Sequence, residues 1–296
     1  MLDCEDNIGV ALLSLDYSKA FDTISHRILL RKLNNYGLPS EFIEWTASYL
    51  RDRHQSVRIG NCISEPILVR SGVPQGSIVG PVLFILYTAD LISPTTENYV
   101  KYADDTMILQ PINRDKHKSM SFLYDCLCEI QRNSDAICLK LNIEKSKLIV
   151  FPKTRNQTAE MECMLLPNIT KVTEIKILGV TLSAYLNWDP HIKDILKKCN
   201  SRLYALRVLR SIVPEPVLIQ TYHGIILTLI DYGSAVFVSL PSYLQQQLHC
   251  FTKRCHRIIH GGDCKCNVFE NVNTRRVRLA CRLFKSAEVE RSHPFA

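Results

Sequence analysis

Acidic residues end two β-prone stretches of this sequence, and they constrain the fold more than any other feature. The apolar run Gly9–Leu15 predicts a buried strand that ends at Asp16. Residues 99–109 contain two β-prone runs that meet at Asp104-Asp105, which predicts a hairpin with both carboxylates at its tip. If the two elements are neighbours, their carboxylates converge at one sheet edge, where like charges are costly unless a cation neutralises them. Hard oxygen ligands with an open coordination sphere suit Mg²⁺. An acidic pair that only marks a turn is the alternative.

The composition is that of a folded protein with an uneven charge. The 296 residues are 46% hydrophobic and 22% charged, with 11 Gly and 13 Pro, which excludes wholesale disorder and collagen-like sequence. This length suits one large domain or two modest ones. Residues 1–190 carry 20 Lys or Arg against 22 Asp or Glu, whereas residues 191–296 carry 16 against 7. A basic C-terminal third suits a polyanion such as nucleic acid, and a solubilising surface is the alternative.

The cysteines and the chain start indicate a soluble intracellular protein. The 12 cysteines are irregularly spaced in a chain that is too long to need a disulfide framework, so we expect reduced, mostly buried thiols. The first six residues are too acidic to open a secretory signal. The uncharged stretch 216–230 contains Gln220, Tyr222 and His223 and is therefore not expected to span a membrane.

Hydrophobic periodicity and turn residues predict the order of the elements, with a domain boundary near residue 183. A turn-rich loop at 71–77 precedes an apolar helix. Asp22 stands before a helical pattern and is interpreted as its N-cap, not as a metal ligand. The other predicted elements are helices over 24–33, 40–50, 115–140, 192–210, 215–230 and 241–259, a hairpin over 57–69, a strand over 147–151 and a strand or hairpin over 172–182.

Six short segments follow one another along the chain: Leu15–Asp22, Ser71–Ser77, Tyr102–Asp105, Leu141–Lys147, Ile177–Val180 and Leu186–Ile192. The first three closely resemble palm motifs of reverse transcriptases, in the version found in non-LTR (LINE-type, jockey-like) retrotransposons. The last three are similar to the fourth motif, the primer-grip hairpin and the start of the thumb in that lineage.

The resemblance implies an α+β fold and a polymerase function. The fold would be a polymerase right-hand palm, an antiparallel sheet with packed helices, over residues 1–182. An all-helical basic thumb over 183–260 and a basic C-terminal tail over 261–296 would follow. The fingers would be largely absent, because the chain begins shortly before Asp16. The implied reaction is RNA-directed DNA synthesis, in which deoxynucleoside triphosphates extend a DNA primer 3′-hydroxyl on an RNA template.

The family's catalytic and metal-binding positions carry over to five residues. Asp16 and Asp104 would hold two Mg²⁺ ions, with the backbone carbonyl of Tyr17 as a further ligand, and Asp105 would support the site. Lys145 matches the family's proton donor to the leaving pyrophosphate. An ordinary surface lysine is the alternative for Lys145.

Other family positions concern the incoming nucleotide. Phe21 would lie under its sugar, where a ring clashes with a 2′-hydroxyl and favours deoxynucleotides. An ordinary core phenylalanine is the alternative. Gln75 would contact the nucleotide, and Gly72 and Gly76 would let the backbone approach the template and the base pair.

Family positions for the primer and template lie further along the chain. Leu178 and Gly179 would occupy the turn that supports the primer terminus. The basic helix 192–210, including Lys197 and Arg202, would bind the phosphate backbone without regard to sequence. A solvated helix face is the alternative for that helix.

Three further possibilities are left open by the sequence. The chain could be a truncated remnant, or a host-retained fragment, that only binds nucleic acid. A maturase-type reverse transcriptase that assists intron splicing uses similar palm motifs. Action in the nucleus is implied by the resemblance alone.

The C-terminal region also holds a group of cysteines and histidines: Cys255, His256, His260, Cys264 and Cys266. Only one residue separates Cys264 from Cys266, whereas the cysteines of structural zinc sites usually have about two to four residues between them. We therefore expect these cysteines to be buried or incidental thiols, with a zinc site as the alternative.

Overall fold

The computed structural model describes residues 7–92, 98–154, 157, 161, 164–262 and 272–289. The chain divides into two compact units, residues 1–173 and 174–296. The predicted boundary near residue 183 lies after this division. Within the described residues, no helix combines the length and the apolar character that crossing a membrane requires.

A five-stranded sheet forms the centre of the first unit. Its central strand is β1 (Asn7–Leu15), the predicted apolar run, in which Ala11 and Leu13 are fully buried. The strands lie side by side in the order β6 (Tyr99–Tyr102), β7 (Asp105–Asn113), β1, β8 (Lys147–Pro152) and β9 (Thr170–Lys171). Neighbouring strands pair antiparallel except for β8 and β9, which pair parallel.

Four helices cover this sheet and its flanks within the described residues. They are α1 (His26–Asn35), α2 (Ser40–Leu50), α3 (Val79–Tyr87) and α4 (Lys116–Ala136). Helix α1 buries Ile28, Leu29 and Leu33 at spacings of one and four residues, so its apolar side faces the core. Two short hairpin pairs lie between α2 and α3: β2 (His54–Gln55) with β5 (Ile67–Leu68), and β3 (Arg58–Ile59) with β4 (Cys62–Ile63).

The prediction that Asp22 caps the first helix is wrong. Helix α1 begins at His26, and the Ser25 side chain accepts a hydrogen bond from the Ile28 amide. Asp22 instead lies in a turn in which its amide donates to the Lys19 carbonyl. Since both residue types are good N-caps, local sequence could not decide between them. The start of the helix depends on how the preceding turn packs.

The second unit combines a β-hairpin with helices. The hairpin is β10 (Glu174–Ile177) with β11 (Val180–Ser183). Helix α5 (Asp189–Leu209) has the predicted apolar face, with Ile192, Cys199 and Leu206 fully buried. The other helices are α6 (Glu215–Tyr222), a π-helical turn (His223–Leu227), α7 (Thr228–Asp231), α8 (Ser242–His260) and α9 (Val272–Val289). No helix was predicted where α9 lies.

Candidate active site

The three predicted carboxylates lie at one end of the central strands. Leu15, the last residue of β1, pairs with Thr106 of β7, so extending this register by one residue sets Asp16 opposite Asp105. Residues that face each other across an antiparallel pair have Cβ atoms about 5 Å apart and lie on the same face. Asp104 belongs to the two-residue loop between β6 and β7, because Tyr102 pairs with Asp105. The expected convergence of the two acidic elements is therefore present.

The electrostatics of the cluster agree with this geometry. Partial burial raises the pKa of the Asp105 carboxyl, and the negative charges of Asp104 and Asp16 raise it further. Like charges at this separation disfavour each other's ionised forms. A bound cation would reverse that effect, so the cluster has the electrostatic character of a cation site.

A turn from the fourth motif holds the main chain at Asp16. The Asp16 amide donates to the Ser146 hydroxyl at 3.2 Å, and the Asp16 carbonyl accepts from the Asn142 amide at 2.8 Å. The Ser146 hydroxyl in turn donates to the Asn142 carbonyl at 2.8 Å. Lys145 is exposed in the same turn, next to the residue that holds Asp16. Lys145 therefore belongs to the turn that bonds to the main chain of Asp16.

The main chain at Tyr17 points toward the acidic loop. Both main-chain groups of Asp16 bond to the segment 142–146, and Tyr17 forms an antiparallel bridge with Leu141. Main-chain groups alternate in direction along such a strand, so the Tyr17 carbonyl faces the side on which β1 pairs with β7. Its phenol ring points into the core, where burial raises the pKa of the hydroxyl.

Phe21 packs close to the acidic loop. Its ring is half-buried and stacks on Phe84 of α3 with centroids 4.5 Å apart. Phe21, Lys101 and Ala103 are among the residues that line an open cavity of about 620 Å³. The Phe21 ring therefore has an accessible edge beside the loop that carries Asp104.

The motif loop 71–77 docks on the turn after β1. The Gly72 amide donates to the Ile24 carbonyl at 2.8 Å, and the Gln75 side-chain amide donates to the Asp22 carboxylate at 2.9 Å. Gly72 has φ of +86°, and a Cβ there would lie 2.8 Å from the Asp22 Cα, so only glycine fits. Gly76, with φ of +79°, is exposed and has open space around it.

The predicted primer-supporting turn is a tight loop in the second unit. Ile177 pairs with Val180, and the two residues between them, Leu178 and Gly179, have φ of +45° and +86°. Two positive φ values match the turn that suits a two-residue hairpin. The Tyr232 hydroxyl donates to the Leu178 carbonyl at 2.6 Å. The Tyr232 ring also lies 3.0 Å from where a Cβ on Gly179 would be.

Helix α5 carries Lys197 and Arg202, the two residues predicted to contact the phosphate backbone of the nucleic acid. Lys197 is exposed and lines a cavity of about 750 Å³ with Lys193 and Asn200. Arg202 is also exposed, but its guanidinium donates to the Ile225 carbonyl in the π-helical turn. Part of its donor capacity therefore serves the packing of the second unit.

The C-terminal Cys/His group is only partly described. Cys255 is buried in the second core, where burial raises the pKa of its thiol to about 12 and keeps it protonated. His260 contacts Glu215 through Nδ1 at 3.0 Å. His256 packs edge-on against Tyr222. Cys264 and Cys266 lie outside the described residues.

The donors at the acidic cluster fit a divalent metal of the Mg²⁺ type. No group of three His, Cys, Asp or Glu side chains within the described ranges is arranged so that it could hold a metal ion. Mg²⁺ usually binds through one or two carboxylates and completes its sphere with water and substrate phosphates. Asp16, Asp104 and the Tyr17 carbonyl offer oxygen donors only, which is the donor type that Mg²⁺ prefers. Burial raises the pKa of Asp105, and Asp104 and Asp16 raise it further through the negative charge that such an ion would balance.

The comparisons with known proteins identify the family. The model of the reverse transcriptase (RNA-dependent DNA polymerase) family matches residues 6–182. The chain therefore belongs to the reverse transcriptase family. The probable RNA-directed DNA polymerase from transposon BS of Drosophila melanogaster is 31% identical over 65% of this chain and 22% of its own length.

Two further relatives come from the same organism. The probable RNA-directed DNA polymerase from transposon X-element is 26% identical over 85% of this chain and 28% of its own length. The RNA-directed DNA polymerase from mobile element jockey is 27% identical over 78% of this chain and 26% of its own length. The chain thus spans about a quarter of the length of these relatives. They agree with the resemblance to non-LTR elements.

One solved structure illustrates the level of structural similarity. Telomerase from Candida tropicalis, in complex with the TWJ fragment of telomeric RNA, aligns over 96% of this chain and 48% of that chain. The TM-score is 0.44 at 11% identity. The mixed α+β fold is established by the five-stranded sheet and its helices.

Sequence reasoning missed several residues that shape the site. The Nε2 of His26 donates a hydrogen bond to the Gly72 carbonyl, 2.8 Å away. Lys101 bonds to the end of α3, and Tyr232 holds the Leu178 turn. Each makes contacts far from its own position in the chain. Only Lys101 carried a local signal, as a charged residue inside a β-prone run.

Proposed function

We propose that this chain is the polymerase region of a non-LTR retrotransposon reverse transcriptase. It would add deoxynucleotides to the 3′-hydroxyl of a DNA primer on an RNA template. The observation that carries the proposal is the convergence of Asp16, Asp104 and Asp105 at one end of the sheet, in a chain that belongs to the reverse transcriptase family. Phosphoryl transfer needs positioning and charge stabilisation at that point.

Asp16 and Asp104 would hold two Mg²⁺ ions, with the Tyr17 carbonyl as a further ligand. When bound, such ions activate the attacking hydroxyl and stabilise the charge that develops on the leaving group. Asp105, beside them, would support the metal site. The turn at 142–146 bonds to both main-chain groups of Asp16, so the side chain that carries the carboxylate is attached to a fixed main chain. Exposed Lys145, in the same turn, would give a proton to the leaving pyrophosphate.

The incoming nucleotide would meet Phe21 and the loop 71–77. The Phe21 ring is held by its stack on Phe84 and would exclude a 2′-hydroxyl. Gln75 donates one amide hydrogen to Asp22 and has a second hydrogen and its carbonyl for the nucleotide. Gly72 and Gly76, both at positive φ, give the backbone a shape that leaves room for the base pair.

We propose that the first unit is the palm and the second unit the thumb. The hairpin turn at Leu178-Gly179 would support the primer terminus, and Lys197 and Arg202 would contact phosphates. Support for the thumb comes from the exposed basic side chains of α5. We also propose action in the nucleus, which imaging of the tagged chain in cells would check.

Primer extension tests the proposed function. The purified chain is incubated with a primed RNA template, Mg²⁺ and deoxynucleotides, and compared with Asp104→Asn. Asp125→Asn, an exposed aspartate on α4, is the matched control. Extension by the wild type and the control, lost in Asp104→Asn, is expected. Extension that Asp104→Asn leaves unchanged, or no extension by the wild type, would reject the proposal and favour a fragment that only binds nucleic acid.

A further inference from the structure

The acidic loop is carried by a strand with little support from the sheet. Strand β6 has four residues, lies at the sheet edge, and pairs with β7 alone among the described strands. The loop that follows has Ala103 at φ of +53°, a conformation that costs a non-glycine residue about 1 kcal/mol or more. A short edge strand with a strained loop needs another contact to hold it.

Lys101 of β6 supplies that contact. Its ammonium donates to the Thr88 carbonyl at 2.9 Å and to the Thr88 hydroxyl. Thr88 is the C-cap of α3, where the helix dipole places partial negative charge. A cation at this point is stabilised by the dipole as well as by the hydrogen bonds. Lys101 therefore joins the strand before the acidic loop to the end of α3.

The same ammonium connects to the Phe21 ring. It lies 5.8 Å from the centroid of the Phe84 ring, within reach of a cation–π interaction. Phe84 in turn stacks on Phe21. The Lys101 side chain thus contacts Thr88, the C-cap of α3, which holds the strand before the acidic loop, and Phe84 of α3, which holds the Phe21 ring. Burial, helped by the positive charge of Lys32 and opposed by the negative charge of Asp90, lowers the pKa of Lys101 to about 8.

We propose that Lys101 is a positioning residue that fixes the acidic loop and the Phe84–Phe21 stack relative to the end of α3. The proposal rests on the proposed function for its catalytic meaning. Its structural content, that the loop depends on this one tether, stands apart from activity.

Hydrogen exchange tests the tether without any need for activity. The amides of residues 99–106 are compared in wild type, Lys101→Met, Lys101→Arg and the control Lys118→Met, which removes an exposed lysine on α4. Loss of hydrogen bonds to a charged group predicts exchange faster by about tenfold or more in Lys101→Met. Lys101→Arg and Lys118→Met should remain close to wild type. Unchanged exchange in Lys101→Met, or an equal increase in the α1 peptide, would overturn the proposal.

Primer extension then tests the catalytic meaning. Lys101→Met should raise the Mg²⁺ concentration needed for half-maximal rate and reduce the preference for deoxynucleotides over ribonucleotides, with Lys101→Arg restoring both. Thr88→Val, which removes the hydroxyl acceptor, should move both readouts in the same direction. Unaltered Mg²⁺ dependence and sugar selectivity in Lys101→Met would contradict a positioning role. Absence of extension in the wild type would reject the proposed function alone, because the exchange experiment still decides on the tether.

Discussion

Alanine substitutions at two glycines of the motif loop distinguish the energetic cost of backbone strain from that of a steric clash. Gly72 and Gly76 have φ of +86° and +79°, so an alanine at either position is strained by a similar amount. A left-handed conformation costs an L-residue about 1–2 kcal/mol. The surroundings differ, because a Cβ on Gly72 would lie 2.8 Å from both the Asp22 Cα and its carbonyl oxygen, whereas nothing lies within 4 Å at Gly76.

The expected difference follows from that contrast. Overpacking against backbone typically costs about 1–3 kcal/mol more. Gly76→Ala should therefore lower the free energy of unfolding of the first unit by about 1–2 kcal/mol, and Gly72→Ala by about 2–5 kcal/mol. Gly72→Ala should also weaken the hydrogen bond between the Gly72 amide and the Ile24 carbonyl, which docks the loop.

Urea denaturation measures both costs. Trp45 lies in the first unit and Trp188 in the second, so Trp45 fluorescence in a Trp188→Phe background reports on the first unit. Gly37→Ala, with φ of +71° and open space, is a strain control on the other side of α1. Equal losses for Gly72→Ala and Gly76→Ala would refute the reasoning, since the close approach to Asp22 would then have no energetic consequence.

Three further predictions concern other parts of the chain. Tyr232→Phe removes the hydrogen bond to the Leu178 carbonyl but keeps the ring against Gly179, so it should destabilise the second unit by about 0.5–1.5 kcal/mol. Trp188 fluorescence during urea denaturation measures this loss. An unchanged urea midpoint would show that the hydrogen bond contributes nothing to stability. Ala103→Gly relieves the strain of a positive φ and should raise the stability of the first unit by up to about 1 kcal/mol. It should also slow primer extension, because the loop becomes more flexible. A lower stability of Ala103→Gly would argue against backbone strain at this position. Burial, together with the charges of His260 and His249, lowers the pKa of His256 to about 4. The folded state therefore resists protonation of His256. Its contribution to the stability of the second unit is fully present above about pH 6.5 and is lost as the pH falls toward 4, by at most about 1.4 kcal/mol per pH unit. Denaturation at several pH values measures this dependence, which His256→Gln should reduce.

Local patterns predicted the parts of the site that lie close together in sequence. The apolar run before Asp16 and the acidic pair between two β-prone runs each predict a strand end, and both are observed. Their convergence follows from the pairing of β1 with β7, which the sequence suggested only through the resemblance. The apolar face of α5 was predictable because helical periodicity is a local signal.

Long-range contacts explain what the sequence could not show. Nothing near Lys101 indicates that its ammonium bonds to Thr88, and nothing near Tyr232 indicates that it bonds to Leu178. The N-cap of α1 was misassigned to Asp22 because the packing of the motif loop engages that carboxylate with Gln75 instead. These features depend on which segments meet, which one sequence without pairing information does not specify.

The position of Asp104 relative to a catalytic metal is tested most directly by exchanging its carboxylate for a thiolate. Mg²⁺ prefers hard oxygen ligands, whereas Mn²⁺ accepts sulfur more readily. Primer extension by Asp104→Cys is measured in Mg²⁺ and in Mn²⁺ beside wild type and Asp125→Cys. We expect Asp104→Cys to be inactive in Mg²⁺ and to recover at least partly in Mn²⁺, while Asp125→Cys behaves as wild type in both. An equal defect of Asp104→Cys in the two metals, or none in either, would contradict direct metal binding by this carboxylate.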